Sequence, residues 1–504
     1  MGLKIGGNIE RVNGKELSYG DFVNRYLKKN EPVLLTGLME GWRSCRDWVT
    51  HDGLPNLHFF STHFGKSKVQ VADCGTREFT DQKRVEMSVS EFVSHWMELS
   101  SGEHSNGFCC NVKEQRLLYL KDWHFVKEYP DYVAYTTPPF FTDDWLNLYL
   151  DSHHMHYDPQ SNFEESEINC SDYRFVYMGA KGTWTPLHAD VFRSYSWSAN
   201  VCGRKRWHFL SPSQSNLIFD RNLKNSVYDI FGDVPEKQFP GFKEAINPSS
   251  LMRFFVSIFF LLMLVAHCVQ TIWLECTQER NEIIFVPSGW YHQVLNMEDT
   301  ISINHNWFNG YNLSWVWNLL VKDYNEARGY IDDIRDISDD FEGLCQRNLA
   351  ANTGMNFFDF FTFITRMFLS NLTQLYHHIK KLECPVPLSS TRGRHHIDNL
   401  ISIHKVVLDM KSVEAFSKDD SGKVLNPNYN IKEFSESPEF AELCGAIDRA
   451  YTLTDEQCLF SRICECVNPI CESGLYAMFE IFGDEMCSSI YLFLQGCSIK
   501  KNFD

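Results

Sequence analysis

Short runs of alternating apolar and polar residues fill the middle of the chain, and glycine or proline turns separate them. The strictest run is Thr300–Trp307, in which Ile301 and Ile303 flank the polar Ser302. Further runs with strand-like patterns cover residues 172–179, 194–202, 204–210 and 282–286. Successive side chains of a strand point to opposite faces, so alternation of this kind predicts strands with one buried face. Many short strands joined by tight turns are typical of a jelly-roll fold.

Helical spacing replaces this alternation toward both ends of the chain. Ser18 and Ser88 stand at positions typical of helix N-termini, and Ser88 with Glu91 forms a capping-box pattern. Beyond the last strand, long helices are predicted over residues 313–337 and 357–381. Four apolar residues after Ser88 recur at helical spacing and are predicted to face a core: Phe92, Val93, Trp96 and Met97.

The pattern therefore predicts an α+β protein, and a length of 504 residues allows more than one domain. Residues 1–118 form an N-terminal region of helices and strands that supports a β barrel. The barrel is predicted to be a double-stranded β-helix over residues 119–325, and residues 326–504 form a helical region.

Composition indicates a folded protein, and charge disfavours one class of partner. A hydrophobic share of 44% is too high for a disordered chain. The formal net charge of -18 argues against sequence-independent binding to DNA or RNA, whose phosphates attract basic surfaces. The 17 cysteines are scattered and odd in number, and the first residues lack an apolar signal segment. These features predict reduced thiols and a cytoplasmic, or also nuclear, location.

Three residues have the types and spacing of a mononuclear iron site. His188 and Asp190 lie in the segment Thr-Pro-Leu-His-Ala-Asp, and on a strand their spacing directs both side chains to one face. His292 follows a Pro-Ser-Gly turn much later in the chain. Two histidines and one carboxylate bind one face of an iron ion and leave other positions open. A His-x-Asp triplet alone occurs often by chance, so the flanking strands decide its weight.

The order of these motifs resembles that of the JmjC-domain oxygenases. The resemblance rests on His188-x-Asp190, on the Pro287–Asn296 segment that contains His292, and on the Ser302–Trp307 strand. It runs from about residue 18 to about residue 317, and more loosely through the C-terminal helices. It implies a cupin-like jelly-roll barrel that binds Fe(II), with 2-oxoglutarate and O2 as co-substrates.

Further site residues are implied by the resemblance, position by position. The family's lysine for the distal carboxylate of 2-oxoglutarate corresponds to Lys205, and the accompanying hydroxyl corresponds to Thr185. An ammonium and a hydroxyl that face a barrel interior suit a dianionic ligand. Without the resemblance, Lys205 between Arg204 and Arg206 would be interpreted as part of a solvated basic turn. Other polar positions of the pocket correspond to Tyr119, Asn304 and Asn306.

The resemblance also implies the reaction, which is oxidation of a substrate C–H bond coupled to decarboxylation of 2-oxoglutarate. The short architecture resembles the hydroxylase branch, which implies lysyl C4-hydroxylation of a translation release factor. Two alternatives stay open: an N-methyl-lysine demethylase with the same metal chemistry, and a catalytically silent JmjC fold that serves as a binding module. The expected partner is a protein substrate, without direct binding to nucleic acid or membrane. The C-terminal helices are a candidate homodimer interface.

One segment departs from the family pattern. Residues 251–273 are almost uncharged after Arg253 and long enough to span a bilayer. A single span there would place His188 and Asp190 on the opposite side of the membrane from His292, so it conflicts with a shared iron site. We therefore interpret residues of about 249–274 as an apolar insertion, non-native or specific to an isoform. An apolar hairpin packed on the barrel is the alternative, and a true span is the least favoured. The insertion, if native, could prevent the site from assembling.

Overall fold

The computed structural model describes residues 3, 5–102, 116–151, 172–246, 273–338, 340–381 and 391–413. Its strands are β1 (Ile5–Asn8), β2 (Glu10–Asn13), β3 (Val33–Thr36), β4 (Lys68–Glu78), β5 (Asp81–Ser88), β6 (Leu118–Trp123), β7 (Arg174–Gly179), β8 (Trp184–His188), β9 (Tyr195–Cys202), β10 (Lys205–Leu210), β11 (Trp273–Gln278), β12 (Ile283–Val286), β13 (Tyr291–Asn296) and β14 (Thr300–Trp307). Its α-helices are α1 (Tyr19–Phe22), α2 (Arg43–Asp47), α3 (Leu57–Phe64), α4 (Val89–Gly102), α5 (Phe125–Glu128), α6 (Trp145–Leu150), α7 (Phe242–Ile246), α8 (Leu313–Tyr330), α9 (Phe341–Thr353), α10 (Phe357–Lys381) and α11 (Thr391–Lys411).

The described residues fall into two compact units. Those up to residue 151 and those of 172–308 belong to the first unit, and those from Asn309 onward belong to the second. The first unit carries the strands and the second is helical. The three-part division at residues 118 and 325 stays a prediction.

The strands of the first unit form two sheets. The larger sheet has the order β2-β3-β12-β9-β14-β7-β6-β4-β5, and the smaller has the order β1-β11-β10-β13-β8. Most pairs are antiparallel, while β1 with β11 and β2 with β3 are parallel. Strands close together in sequence alternate between the two sheets, as in a jelly roll. Within the described ranges the sheets stay separate, so the α+β jelly-roll prediction is confirmed as an open sandwich and not as a closed barrel.

Apolar side chains from both sheets fill the space between them. Trp207 and Phe209 of β10 meet Ile284 and Val286 of β12 in one buried cluster. The members of each pair are two positions apart on their strand, which is the spacing that puts side chains on one face. Lys205 lies two positions before Trp207 and therefore continues the same inward face.

The predicted N-terminal helices are present, with one error in the core assignment. Ser88 N donates to Glu91 Oε2 at 2.7 Å, and Glu91 N donates to Ser88 Oγ at 3.2 Å, which completes the capping box. Phe92, Val93 and Trp96 are buried as predicted, whereas Met97 is 54% exposed. With 3.6 residues per turn, Met97 lies roughly 90° from the centre of the buried stripe, at its solvent edge.

In the second unit, one helix matches its predicted range and one is shorter. Helix α10 spans Phe357–Lys381 as predicted. Helix α8 ends at Tyr330, short of the predicted residue 337, and a 3₁₀ turn follows over Asp332–Ile334. Acidic side chains are repelled by the negative C-terminal end of the helix dipole. The aspartates that follow Tyr330 therefore disfavour continuation of the helix.

Residues 247–272 lie outside the described residues, so the interpretation of the apolar segment as an insertion stays a prediction. The chain on either side is described. Trp273 is fully buried in β11, and its Nε1 donates to the Ala245 carbonyl oxygen at 2.9 Å. Two of the described residues that flank the segment, Ala245 and Trp273, are therefore in contact. Among the helices that the structure describes, none is long and apolar enough to cross a membrane.

Removal of residues 249–271 is expected to leave the fold intact, because the described residues Ala245 and Trp273 on either side of it are already in contact. Thermal unfolding should then shift by only about a few degrees. Extending the deletion through Trp273 should destabilise the protein by about 3 to 5 kcal/mol more, because it removes a fully buried indole from the sheet. Differential scanning fluorimetry of both variants checks this. Unfolding caused by the shorter deletion would contradict the insertion interpretation.

Candidate active site

Three side chains of metal-ligand type meet between the two sheets. His188 ends β8, and His292 of β13 is its cross-strand partner. Their ring centroids are 4.3 Å apart. The candidate ligand atoms of His188, Asp190 and His292 all lie within 4.8 Å of one another. The structure therefore brings together the three residues that the sequence predicts as ligands, in the donor set of a facial metal site.

Asp190 lies just beyond the end of the strand on which the sequence placed it. Strand β8 ends at His188, and Asp190 lies in the loop that precedes a 3₁₀ turn over Val191–Arg193. Phe192 and Arg193 have φ values of 55° and 52°. Asp190 itself keeps an extended backbone, with φ of -56° and ψ of 153°, which is compatible with the predicted two-residue spacing from His188. The two residues in the left-handed region reverse the chain only after Asp190.

Backbone carbonyls orient both imidazole rings. His188 Nδ1 lies 2.8 Å from the Pro186 oxygen, and His292 Nδ1 lies 3.2 Å from the Trp290 oxygen. A carbonyl oxygen only accepts, so each Nδ1 carries the proton and each Nε2 lone pair is available to a metal. Burial, together with the neighbouring His188, lowers the pKa of His292 below its usual range. The ring therefore stays neutral, which is the form that binds metals.

Lys205 lies between the sheets, which excludes the solvated-turn interpretation. Gly203, with a φ of 73°, makes the tight turn that precedes β10. Lys205 is 2% exposed, and its Nζ lies 2.6 Å from Ser302 Oγ and 3.4 Å from Tyr119 Oη. Both partners are hydroxyls, and Lys205 forms no ion pair with any residue that the structure describes. A buried ammonium without a counter-ion suits the carboxylate of an anionic ligand.

The remaining predicted residues line the same space, which we call the chamber: the interior bounded by the metal-ligand triad at one end and Lys205 at the other. Thr185 lies on the inward face of β8. On the larger sheet, Asn304 Nδ2 donates to Ser302 Oγ at 3.2 Å. Asn306 lies opposite Ser196 and near the metal end. The structure thus brings every predicted site residue into one chamber, while their individual roles stay predictions.

Comparison with known proteins identifies the family to which this chain belongs. The profile of the cupin-like domain family matches residues 20–312. The Arabidopsis thaliana protein named arginine-specific demethylase JMJ20 is 55% identical over 451 residues, which cover 90% of this chain and 88% of the relative. The Danio rerio protein named 2-oxoglutarate and iron-dependent oxygenase JMJD4 is 38% identical over 353 residues, 69% of this chain and 72% of the relative. The Homo sapiens protein of the same name is 35% identical over 355 residues, covering 69% and 72%.

The chain belongs to the cupin-like JmjC oxygenases. The family recognised from the sequence motifs is confirmed, and with it the oxygenase class and the dependence on iron and 2-oxoglutarate. The comparisons therefore do not support the alternative of a catalytically silent binding module.

The residues of this JmjC oxygenase fit the iron ion and the co-substrate. Both Nε2 lone pairs and the Asp190 carboxylate face one point and would hold the ion. Lys205, with the hydroxyls of Ser302 and Tyr119, would hold the distal carboxylate. When bound, iron and 2-oxoglutarate supply the means to oxidise a C–H bond with O2.

Two contacts at the JmjC site were missed from the sequence. Ser196 Oγ on β9 donates to Asp190 Oδ2 at 2.8 Å and orients the carboxylate. Ser302, the hydroxyl partner of Lys205, lies two residues before Asn304 on the same face of β14. The alternation along each strand could have indicated both serines, because it places them on the inward faces.

A second buried lysine beside the chamber was also missed. Lys121 lies two residues after Tyr119, and its Nζ donates to Gln82 Oε1 at 2.7 Å. Gln82 Nε2 in turn donates to the carbonyl oxygen of Trp184 at 3.1 Å, directly before Thr185. Burial lowers the pKa of Lys121 to about 8. This bridge holds β8, the strand that carries Thr185 and His188, against the larger sheet.

Ser196→Ala is expected to weaken Fe(II) binding by about 10- to 100-fold, because Asp190 loses the hydrogen bond that orients it. Ser198→Ala is the matched control, since the buried Ser198 hydroxyl on the same strand has no hydrogen-bond partner in the described part of the chain. Metal titration of both variants measures the difference. Equal losses in the two would contradict the role given to Ser196.

The affinity for 2-oxoglutarate is expected to fall as pH rises through the pKa of Lys205. Burial lowers this pKa to about 7 in the ligand-free protein, so the ammonium form is lost above that pH. A carboxylate beside Nζ favours the ammonium, so binding above pH 7 should take up a proton. Calorimetry in buffers of different ionisation enthalpy measures the uptake. Its persistence in Lys205→Met would contradict the assignment.

Proposed function

We propose that this JmjC oxygenase hydroxylates a C–H bond on a basic side chain of a protein substrate. The arrangement that carries the proposal is the His188–Asp190–His292 triad, which opens into the same chamber as the buried Lys205 ammonium. The chain's own residues hold the ion and the co-substrate, and the apolar wall of Trp207 and Phe209 excludes water from the reacting centre. A protein substrate agrees with the cytoplasmic or nuclear location expected from composition.

The first candidate reaction is lysyl C4-hydroxylation of a translation release factor. Its support is the resemblance of the short chain to the hydroxylase branch of the family. The relatives named JMJD4 are described as oxygenases, and their names specify no substrate. The product would keep the added oxygen on a side-chain carbon.

The second candidate is demethylation of N-methylarginine, and one observation favours it. The relative named arginine-specific demethylase JMJ20 is 55% identical across 90% of this chain. Hydroxylation of an N-methyl carbon gives an unstable product that releases formaldehyde, so the same site serves both reactions. Demethylation of N-methyl-lysine would follow the same chemistry.

Mass spectrometry of peptide products separates these reactions. The full chain is incubated with Fe(II), 2-oxoglutarate and O2, together with a release-factor lysine peptide, a methyl-lysine peptide or a methylarginine peptide. A gain of one oxygen on lysine supports the first candidate, and loss of a methyl group with formaldehyde from arginine supports the second. Asp190→Ala is the negative control. Succinate release without change in any peptide would contradict both candidates.

A further inference from the structure

A β-bulge separates two site residues of strand β8. His188 lies opposite His292 of β13, and Thr185 lies opposite Val294. Three steps along β8 therefore match two steps along β13, which is the register of a bulge. Val294 belongs to the buried cluster between the sheets, so the bulge lets Thr185 share the inward face with His188. The position of the ligand His188 thus depends on how the bulge is held.

The backbone of this bulge is bonded by a distant loop. Of its two residues, Pro186 has no N–H, and Leu187 N donates to the Tyr228 carbonyl oxygen at 2.9 Å. Tyr228 lies in residues 226–231, an irregular segment that we call the strap. Its ring also contacts the Trp184 ring edge-on, with centroids 5.4 Å apart. In the described part of the smaller sheet β8 is the last strand, so the strap holds the bulge at the sheet edge.

One buried side chain connects the strap to the other ligand strand. Gln293 follows His292 on β13, so it points to the opposite, outer face of the smaller sheet. Its Oε1 accepts from Ile230 N at 2.9 Å, and its Nε2 donates to Asp229 Oδ1 at 2.7 Å. The oxygen and the nitrogen of this amide therefore both bond the strap.

These polar contacts lie against apolar side chains. Leu187, Val227, Ile230 and Tyr291 belong to one buried cluster on the outer face of the smaller sheet. Gln293 is buried beside them. A buried amide that loses its partners does not regain them from bulk water, so leaving it unpaired is costly. The bonds of Gln293 therefore disfavour any shift of the strap relative to β13.

The connection lies outside the chamber and joins the two residues that are adjacent to the histidine ligands. From His292 it passes to Gln293, and through two hydrogen bonds to the strap. From the strap it passes through the Tyr228 carbonyl to Leu187, the residue before His188. Strands β8 and β13 also pair directly, but the bulge interrupts that ladder between the two site positions. The strap supplies a constraint at the point where the regular pairing is missing.

We propose that Gln293 is a positioning residue for the iron site, which acts through the strap to hold His188 in place relative to His292. Gln293 lies on the face away from the chamber and touches neither the ion nor the substrate. Its amide holds Asp229 and Ile230, and the strap holds the bulge. This role does not depend on which C–H bond is oxidised.

Gln293→Met tests the proposal, because methionine keeps the length of the side chain and removes both hydrogen bonds. The dissociation constant for Fe(II) is expected to rise about tenfold, the lower end of the range for groups that orient metal ligands. Anaerobic calorimetric titration of the full chain measures it. Co(II) serves as a second probe, and its absorption spectrum, which depends on ligand geometry, should differ in shape from that of the unaltered chain.

Gln346→Met is the matched control in the helical unit. Gln346 is also buried, its Oε1 accepts from Phe357 N at 3.0 Å, and its Nε2 donates to Glu342 Oε1 at 2.8 Å. The two variants therefore lose the same kinds of hydrogen bond, and both should unfold at a lower temperature. Only Gln293→Met should bind Fe(II) more weakly. Equal losses of Fe(II) affinity would show general destabilisation and overturn the proposal.

A pair of changes at Asp229 separates the hydrogen bond from the charge. Asp229→Asn keeps an oxygen that accepts from Gln293 Nε2, so it should bind Fe(II) as the unaltered chain does. Asp229→Ala removes the acceptor and should weaken binding, but by less than Gln293→Met, because the bond from Ile230 N remains. Equal weakening by the two changes would contradict the proposal. Should Gln293→Met not fold, this pair provides the same comparison.

Hydrogen exchange measured by mass spectrometry examines the path through the strap. The amide of Leu187 should exchange faster in Gln293→Met than in the unaltered chain or in Gln346→Met, because its acceptor on the strap is loosened. Faster exchange with unchanged Fe(II) affinity would show that the strap does not position the ligand. Weaker Fe(II) binding with unchanged exchange would show that Gln293 does not act through the strap. Either result would overturn the proposal.

Discussion

Asp190→Ala is expected to abolish turnover, with a loss on the order of a thousandfold, equal to about 4 kcal/mol of transition-state stabilisation. Only His188 and His292 would remain as ligands of the described site. Two imidazoles are one ligand short of the three that hold an iron ion in a facial site. Succinate release and iron content of the purified variant measure the effect. Both should fall, because the lost group binds the metal itself.

The matched control changes an aspartate elsewhere. Asp52→Ala removes a carboxylate that is 85% exposed, and it should leave both readings unchanged. His188→Ala should behave like Asp190→Ala, because the imidazole Nε2 is the second ligand of the pair. Turnover that survives in both His188→Ala and Asp190→Ala would contradict the iron assignment.

Lys205→Met is expected to raise the KM for 2-oxoglutarate by about 10- to 100-fold, the value of one charge-assisted hydrogen bond to a buried partner. Methionine keeps most of the side-chain volume and removes the ammonium, so the effect reports charge and not packing. The Ser302 and Tyr119 hydroxyls would remain as donors, which explains why some affinity should survive. Lys181→Met, at an exposed lysine between β7 and β8, is the control. A KM that changes equally in the two variants would contradict the role of Lys205.

Much of the fold and of the chamber was predictable, because the relevant information is local. The alternation in β14 and the tight turn at Gly203 can be predicted from neighbouring residues, and the structure has a strand at the first place and a turn at the second. The burial of Lys205 could not be predicted from its own neighbours, since Arg204 and Arg206 favour a solvated turn. Only the position of β10 between β11 and β13 directs it inward.

Other features depend on contacts between distant parts of the chain. Lys121 and Gln82 meet because β6 and β5 both pair with β4, and no spacing in the sequence indicates that pairing. The chain reversal directly after Asp190 depends on two residues with left-handed φ values, for which Phe192 and Arg193 give no compositional signal. Met97 was assigned to the core because helical spacing alone does not show where a buried stripe ends.

The most direct test of the central claim is an anaerobic titration. The protein is loaded with Fe(II), 2-oxoglutarate is added under argon, and the visible absorption is recorded. A charge-transfer band that needs both additions is predicted for the unaltered chain, because the ion and the co-substrate share one chamber. The band should be absent in Asp190→Ala and should need more 2-oxoglutarate in Lys205→Met. Unaltered protein that retains its iron but gives no band, or an unchanged band in Asp190→Ala, would contradict the account.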